Sequence, residues 1–168
     1  MEFNTIDPEH LKVEPFKLIL KDSMLITAGP PDNWNTMTAG WGGLGSMWSK
    51  HIVFCVIRPQ RYTYQFMEQN DVFTCSFFDE QYRPALDFCG SHSGKDVDKA
   101  AATGLTPVAG ILPATTTFEQ AKLVLECRKI YFQDIEPKHF LDKSIEQWYP
   151  AKDYHRLYIG EVVNVAVK

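Results

Sequence analysis

No uninterrupted apolar run in the 168 residues approaches the ~20 needed for a helix to cross a bilayer, so no membrane span is expected. Basic residues are not in excess. Seventeen Lys and Arg against 21 Asp and Glu leave a formal charge of −4, the wrong sign for a broad nucleic-acid surface. The first residues, MEFNTIDPEH, lack the basic start and apolar segment of a signal peptide, and the cytoplasm is the expected location. There are only four cysteines and no C-x-x-C pair. Cys55, Cys75 and Cys127 lie in apolar surroundings (VFCVI, FTCSFF, VLECR), where a free thiol serves as a small buried hydrophobe. Structural disulfides are not expected in a cytosolic chain. Cys89 differs in sitting beside a CGSHSG turn, yet nothing in the sequence marks its pKa as lowered.

Catalytic signatures are missing as well. No G-x-G-x-x-G joins a strand to a helix, and TAGWGGLGS lacks both that spacing and the Lys-Ser/Thr end of a P-loop. There is no H-E-x-x-H and no G-x-S-x-G. The five histidines, His10, His51, His92, His139 and His155, are scattered without metal-ligand spacing, so no metal is expected. Nothing repeats, and no catalytic residue stands out.

What the chain does hold is one domain's worth of strand. Hydrophobic residues make up 45% and aromatics 13%, which suits a sheet-rich core. Residues 1–14 are polar and read as a loose arm, with 15–168 as a single domain. Phe16–Leu20 and Met24–Ala28 read as short strands around a tight turn, and Asn35–Ala39 as a strand followed by a glycine-rich turn. His51–Ile57 is a β-branched run ended by Pro59. Helices are expected at Tyr62–Asn70, at Tyr82–Cys89 with Pro84 in its first turn, and from about Val97 to a Gly104 cap. Val72–Phe78, Lys122–Phe132 and Leu157–Val167 complete the strands, the last with Gly160 as a bulge. Many strands with short helices between them predict a mainly β protein, a barrel with helical decoration.

Functional groups concentrate in Asn35–Asp71. Asn35, Thr36, Thr38, Ser46 and Ser49 supply hydrogen bonds, Trp41 and Trp48 supply flat apolar faces, and Arg58 and Arg61 stand three residues apart. Arg61, Tyr62 and Thr63 open a predicted helix, where unpaired amides, the helix dipole and a guanidinium fork together favour a phosphate. A ligand with a phosphate at one end and a planar ring at the other fits this set. For Arg58 a surface ion pair is the rival role.

N-x-M-T-x-x-W, an apolar strand ending R-P-x-R-Y-T-Y, and CGSHSGKDVDK (Cys89–Lys99), in this order, resemble the flavin reductase-like family, and its flavoredoxin-type branch in particular. The resemblance runs from about Pro15 to Val167. It implies an FMN-binding split barrel, in which hydride chemistry belongs to the flavin and the protein supplies orientation and polarity. It further implies that Asn35, Thr36, Met37 and Thr38 line the flavin ring edge, largely through backbone groups. Arg58, Arg61, Tyr62 and Thr63 would hold the phosphate, and Ser91, Ser93 and Lys95 would complete the phosphate and ribityl contacts. Lys95 beside Asp96 and Asp98 also reads as a solvated, self-paired face. His92 is a candidate for the nicotinamide side, while Trp41 and Trp48 read as core or interface aromatics. The implied activity is an NAD(P)H-dependent flavin reductase, with NADH or NADPH as donor and a further acceptor such as a redox protein. The alternatives are a non-catalytic FMN electron carrier and a binding protein for another phosphorylated aromatic ligand. The family resemblance also implies a homodimer with flavin at the subunit interface, and the apolar Gly160–Val167 strand is the segment expected to seek a partner.

Overall fold

The apolar runs become the strands of one eight-stranded antiparallel sheet in a computed structural model that describes residues 2–168. The strands are β1 (Asn4–Ile6), β2 (Met24–Ala28), β3 (Asn35–Ala39), β4 (Gly42–Met47), β5 (Lys50–Ile57), β6 (Val72–Phe77), β7 (Pro107–Ala109), β8 (Thr116–Phe118), β9 (Leu123–Asp134) and β10 (Arg156–Val167). The helices are α1 (Tyr62–Gln69), α2 (Arg83–Ser91) and α3 (Lys99–Thr103). The order across the main sheet is β3-β2-β6-β9-β10-β5-β4, with β1 added against β10, and β7 and β8 form a separate hairpin. β3 and β4 therefore lie at opposite ends, and the sheet curls without closing. This is the split barrel expected, mainly β in a single domain.

The curl begins in the two long strands. β9 and β10 run 12 residues each, and their register shifts between Ile159 and Gly160 and again between Val162 and Asn164. Such bulges raise local twist and bend the sheet around its core. Gly160 has a second reason to be glycine: a Cβ there would stand 2.6 Å from Phe73 Cζ and 2.9 Å from Cys127 Cβ. Inside, Met24, Ile26, Val53, Cys55, Ile57, Met67, Phe73, Cys75, Phe77, Leu125, Cys127 and Tyr158 form the main core. A second layer, with Leu25, Phe78, Leu86, Cys89, Phe118 and Val124, attaches α2 and β8 to the other face. All four cysteines are free and buried.

One carboxylate is sunk into this body. Glu126, 2% exposed, accepts from the amides of Ile111 (2.9 Å) and Leu112 (2.5 Å), from Thr115 Oγ1 (3.1 Å) and from Asn164 Nδ2 (3.0 Å). Four donors replace the water it lost and offset its desolvation, and through them it pins the β7–β8 loop.

The structure corrects four local expectations. Phe16–Leu20 is not a strand: Lys17–Asp22 forms a wide helical turn, burying the adjacent Leu18 and Ile19 while Phe16 and Leu20 face outward. Alternation would have buried every second residue instead. The glycine-rich stretch after Ala39 is strand β4, paired with β5 through a two-residue turn at Trp48 and Ser49 (φ 52° and 56°). That backbone suits a tight hairpin even without glycine at its tip. The arm is not loose, since Asn4–Ile6 pairs with Val165–Val167. Finally, the apolar run of β10 is spent inside its own chain: Val162, Val165 and Ala166 are buried and only Val163 is exposed.

Gly160→Ala should destabilise the fold by about 1–3 kcal/mol, the usual cost of overpacking, because the Phe73 ring it would meet is buried in the core. Urea unfolding of the variant measures this, and an unchanged midpoint would show that the ring can move aside.

Candidate functional site

The split in the sheet is where the chemistry collects. Between β3 and the end of β5 lies a cleft of about 180 Å³ lined by Met37, Thr38, Ala39, Gly40, Trp41, Val56, Arg58, Arg61 and His155. One wall is the outer edge of β3, which pairs only with β2. Thr36 C=O accepts from Lys99 Nζ at 2.7 Å, so it points away from β2. By strand alternation the backbone groups of Thr38 point the same way, into the cleft. An edge strand thus presents main-chain donors and acceptors beside an apolar wall.

β3 is held rigidly from behind. Asn35 Nδ2 donates to Thr63 Oγ1 at 2.8 Å, tying the strand to the first turn of α1. Thr27 Oγ1 donates to Thr36 Oγ1 (2.8 Å), and Thr36 Oγ1 donates to Ile26 C=O (3.1 Å). Thr38 Oγ1 donates to Leu86 C=O on α2. Gly94 lies so close to Asn35 that any Cβ would overlap Asn35 Oδ1, which seats the Ser91–Asp96 turn against β3. Asn35, Thr36 and Thr63 are consequently buried and hydrogen-bonded within the frame, and what the strand mainly offers a ligand is backbone.

Arg58 and Arg61 have different surroundings. Arg58 Nη1 pairs with Asp153 Oδ2 at 2.5 Å and Nη2 donates to Trp148 C=O at 2.8 Å, so it clasps the 148–155 segment over the cleft. Its guanidinium and Gln60 hold the Asp153 carboxyl below the usual range. Arg61 has no carboxylate partner among the described residues; its one side-chain hydrogen bond there is a long 3.4 Å contact with Cys89 C=O. That carbonyl also accepts from Lys99 Nζ at 2.9 Å. Lys99 is 5% exposed and likewise lacks an anion among the described residues, and burial lowers its pKa to about 8. Burial, then the neighbouring Arg58 charge, also lowers the Arg61 pKa. Two cations therefore converge on one carbonyl without a counter-charge, the arrangement of a site built to receive an anion.

Of the residues expected from sequence, Met37, Thr38, Arg58 and Arg61 line the cleft. Asn35, Thr36 and Thr63 form its frame, and Tyr62 stands beside them at the start of α1, its ring 5.3 Å from that of Phe66. Ser91 and Lys95 are exposed and Ser93 half-buried on the turn that follows α2, with Ser91 Oγ donating back to Asp87 C=O at 2.7 Å. Lys95 makes no ion pair with Asp96 or Asp98 among the described residues; Asp98 instead caps α3 through the Ala101 amide. His92 stacks on Phe88 at 3.9 Å, outside the cleft. Cys89 is buried and its thiol is pushed up by that burial, against the pull of Lys99 and Arg61. Sequence reasoning missed Lys99 and His155. Lys99 ends the CGSHSGKDVDK stretch, but a lysine opening a short helix is ordinarily solvated, and its burial depends on α2 and β3 meeting it.

The flavin reductase like domain family matches residues 19–168. The chain belongs to the flavin reductase-like family. Several solved structures share its fold. Flavoredoxin of Desulfovibrio vulgaris (Miyazaki F) is 25% identical with a TM-score of 0.68, over 87% of this chain and 69% of that one. An FMN-binding protein from Thermus thermophilus with bound p-hydroxybenzaldehyde is 21% identical with a TM-score of 0.68, over 97% and 78%. A Streptomyces globisporus NADH:FAD oxidoreductase is 17% identical with a TM-score of 0.67, over 88% and 75%. No curated protein matches. Membership of the flavin reductase-like family gives the chain a flavin-related redox role. Among the described residues no helix is long and apolar enough to cross a membrane, and no cluster of His, Cys, Asp and Glu has the makings of a metal site.

Lys99 makes the electrostatics of this flavin reductase-like site testable. The folded chain gives up the Lys99 proton near pH 8 and the unfolded chain near 10.4, so between those values the unfolded state binds more protons and stability rises with pH. Wild-type stability should therefore climb relative to Lys99→Met as pH goes from 8 to 10, measured by denaturant unfolding. A constant difference would mean that Lys99 keeps an ordinary pKa.

Proposed function

We propose that this chain binds FMN in the β3–β5 cleft and acts as an NAD(P)H-dependent flavin reductase. The observation that carries the proposal is the pair of partly and fully buried cations, Arg61 and Lys99, that have no anion among the described residues. A phosphate supplies the missing charge, and the first-turn amides of Tyr62 and Thr63 stand next to Arg61 to share it. The rest of the site fits the same ligand. The outward backbone of Thr38, with Met37, suits the hydrogen-bonding edge of a planar ring, and Trp41 and Val56 suit its apolar body. Ser91, Ser93 and Lys95, carried to β3 by the Gly94 contact, complete the phosphate and ribityl contacts. The flavin these residues hold would supply the hydride and electron chemistry, so the protein would need no nucleophile and no general base. This chain's residues hold, orient and screen. Arg61 and Lys99 neutralise the phosphate, β3 fixes the ring edge, and the 148–155 segment clasped by Arg58 shields one side from water.

A homodimer belongs to the same proposal. A cleft of 180 Å³ is smaller than the ~300–1,000 Å³ typical of cofactor pockets, so one copy offers only part of a wall. Its natural complement is a second copy docked on the exposed face of β4, β5 and β9, where Met47, Trp48, Phe54 and Tyr131 are each 36–58% exposed. That much apolar surface on a sheet next to an incomplete site favours self-association. Sedimentation velocity should find a dimer. Gly45→Glu should return it to monomer, because a side chain at Gly45 meets nothing in its own chain.

A second reading, an electron carrier that holds FMN and is reduced by another protein, has the likeness to flavoredoxin in its favour. Anaerobic addition of NADH, then NADPH, to the FMN-loaded protein decides between the two. Prompt bleaching of the visible band is expected; a protein that stays yellow with both donors is a carrier. Arg61→Ala should weaken FMN binding by about 1.5–3 kcal/mol, the range for a charge-assisted hydrogen bond, with little change in apoprotein stability. If stability falls and affinity holds, Arg61 is a structural residue.

A further inference from the structure

We infer that His155 is a positioning residue of the cleft, a neutral imidazole that presents Nε2–H to a carbonyl oxygen of the bound planar ligand while Tyr149 sets its tautomer. The identity of that ligand rests on the reading above; the state of the imidazole does not. His155 sits just ahead of β10, its backbone anchored by the Ile135 amide at 2.9 Å. Its ring lines the cleft beside Trp41, with centroids 5.1 Å apart. Nδ1 lies 2.8 Å from Tyr149 Oη. Tyr149 is 4% exposed, and the other polar group at its hydroxyl among the described residues is the His155 backbone amide, which can only donate to it. A buried hydroxyl must place its hydrogen somewhere, so Tyr149 donates to Nδ1 and the imidazole hydrogen resides on Nε2.

Nε2 itself meets no protein acceptor among the described residues, and it is not sealed in. The one sealed side-chain atom without a partner there is Asp153 Oδ1. The free N–H therefore faces the cleft. The charged groups around it keep it neutral. Arg58 lies over the Tyr149 ring at 5.2 Å and Arg61 shares the cleft wall, against the single carboxylate of Asp153. Burial first, then Arg58, lowers the His155 pKa to about 4, with Asp153 pulling the other way. Across the physiological range it remains a donor of constant charge, suited to an oxygen acceptor and unsuited to a second donor. Bound flavin and the carboxamide of nicotinamide both offer such a carbonyl.

Long-range ¹H–¹⁵N spectra of the apoprotein from pH 5 to 8 test the first half. The Nε2–H pattern should persist throughout, and Tyr149→Phe should mix the two tautomers. An Nδ1–H pattern in the wild type, or a protonation midpoint above pH 6, overturns the assignment. The second half compares His155→Leu with His155→Gln, which keeps a donor. The Leu variant should lose about tenfold, the scale of one hydrogen bond to a carbonyl, and Gln should restore most of it. A higher Kd for FMN assigns the flavin carbonyl, and a higher KM for NADH at unchanged Kd assigns the carboxamide. If Leu moves neither, or Gln behaves as Leu, the donor role is wrong. Failure of the wild type to bind FMN would sink the flavin reading and its carbonyl, while the spectra still decide the tautomer.

Discussion

An edge strand carries hydrogen-bonding capacity that its sheet does not use, and in this protein that edge is β3. The sheet does not close: β3 and β4 end it on opposite sides without pairing, and the outward groups of β3 must be answered by something else. Lys99 answers the carbonyl of Thr36. What remains, around Thr38, opens onto the cleft. The fold therefore leaves a strand edge unpaired beside two cations that have no counter-charge among the described residues, the features on which the proposed ligand rests.

Rigidity of that edge comes from short polar contacts made in a dry setting. The Asn35–Thr63 bond couples β3 to α1, so the strand edge and the helix start beside Arg61 are tied together. The Thr27–Thr36–Ile26 relay couples β3 to β2. Each is buried, where breaking it leaves a polar atom unsatisfied at about 1–3 kcal/mol. Residues that sequence reading offered as flavin contacts are thus in part the frame of the cleft. Arg58 shows the same division of labour: its charge goes to Asp153, and it serves the site by holding Trp148, Tyr149 and His155 over the cleft.

The groups that sequence reasoning overlooked share a cause. Lys99 and His155 are unremarkable in their own segments, KAAAT and YHRLY, and acquire their character from residues outside those segments. Cys89 and Thr36 meet Lys99; Tyr149, Arg58 and Trp41 meet His155. Desolvation then shifts both pKa values downward, and desolvation is a property of packing. The misreading of Phe16–Leu20 has a related origin. Four apolar residues in five fit either period, and only the burial of the adjacent Leu18 and Ile19 selects the helical turn.

From the sequence by itself came the strand-rich class, the β5–α1 junction with its two arginines, the Gly160 bulge and the three motifs of the flavin reductase-like family. Those features are local: β-branched runs, proline and glycine breaks and motif spacing act over a few residues, and they keep their meaning wherever the segment lies. Only the tertiary structure decided which arginine is neutralised, which lysine is buried, that Gly42–Met47 is a strand, and that β10 is covered by its own chain. Charge compensation, strand pairing and burial all depend on partners distant in sequence, and a chain read in order does not say where those partners will stand.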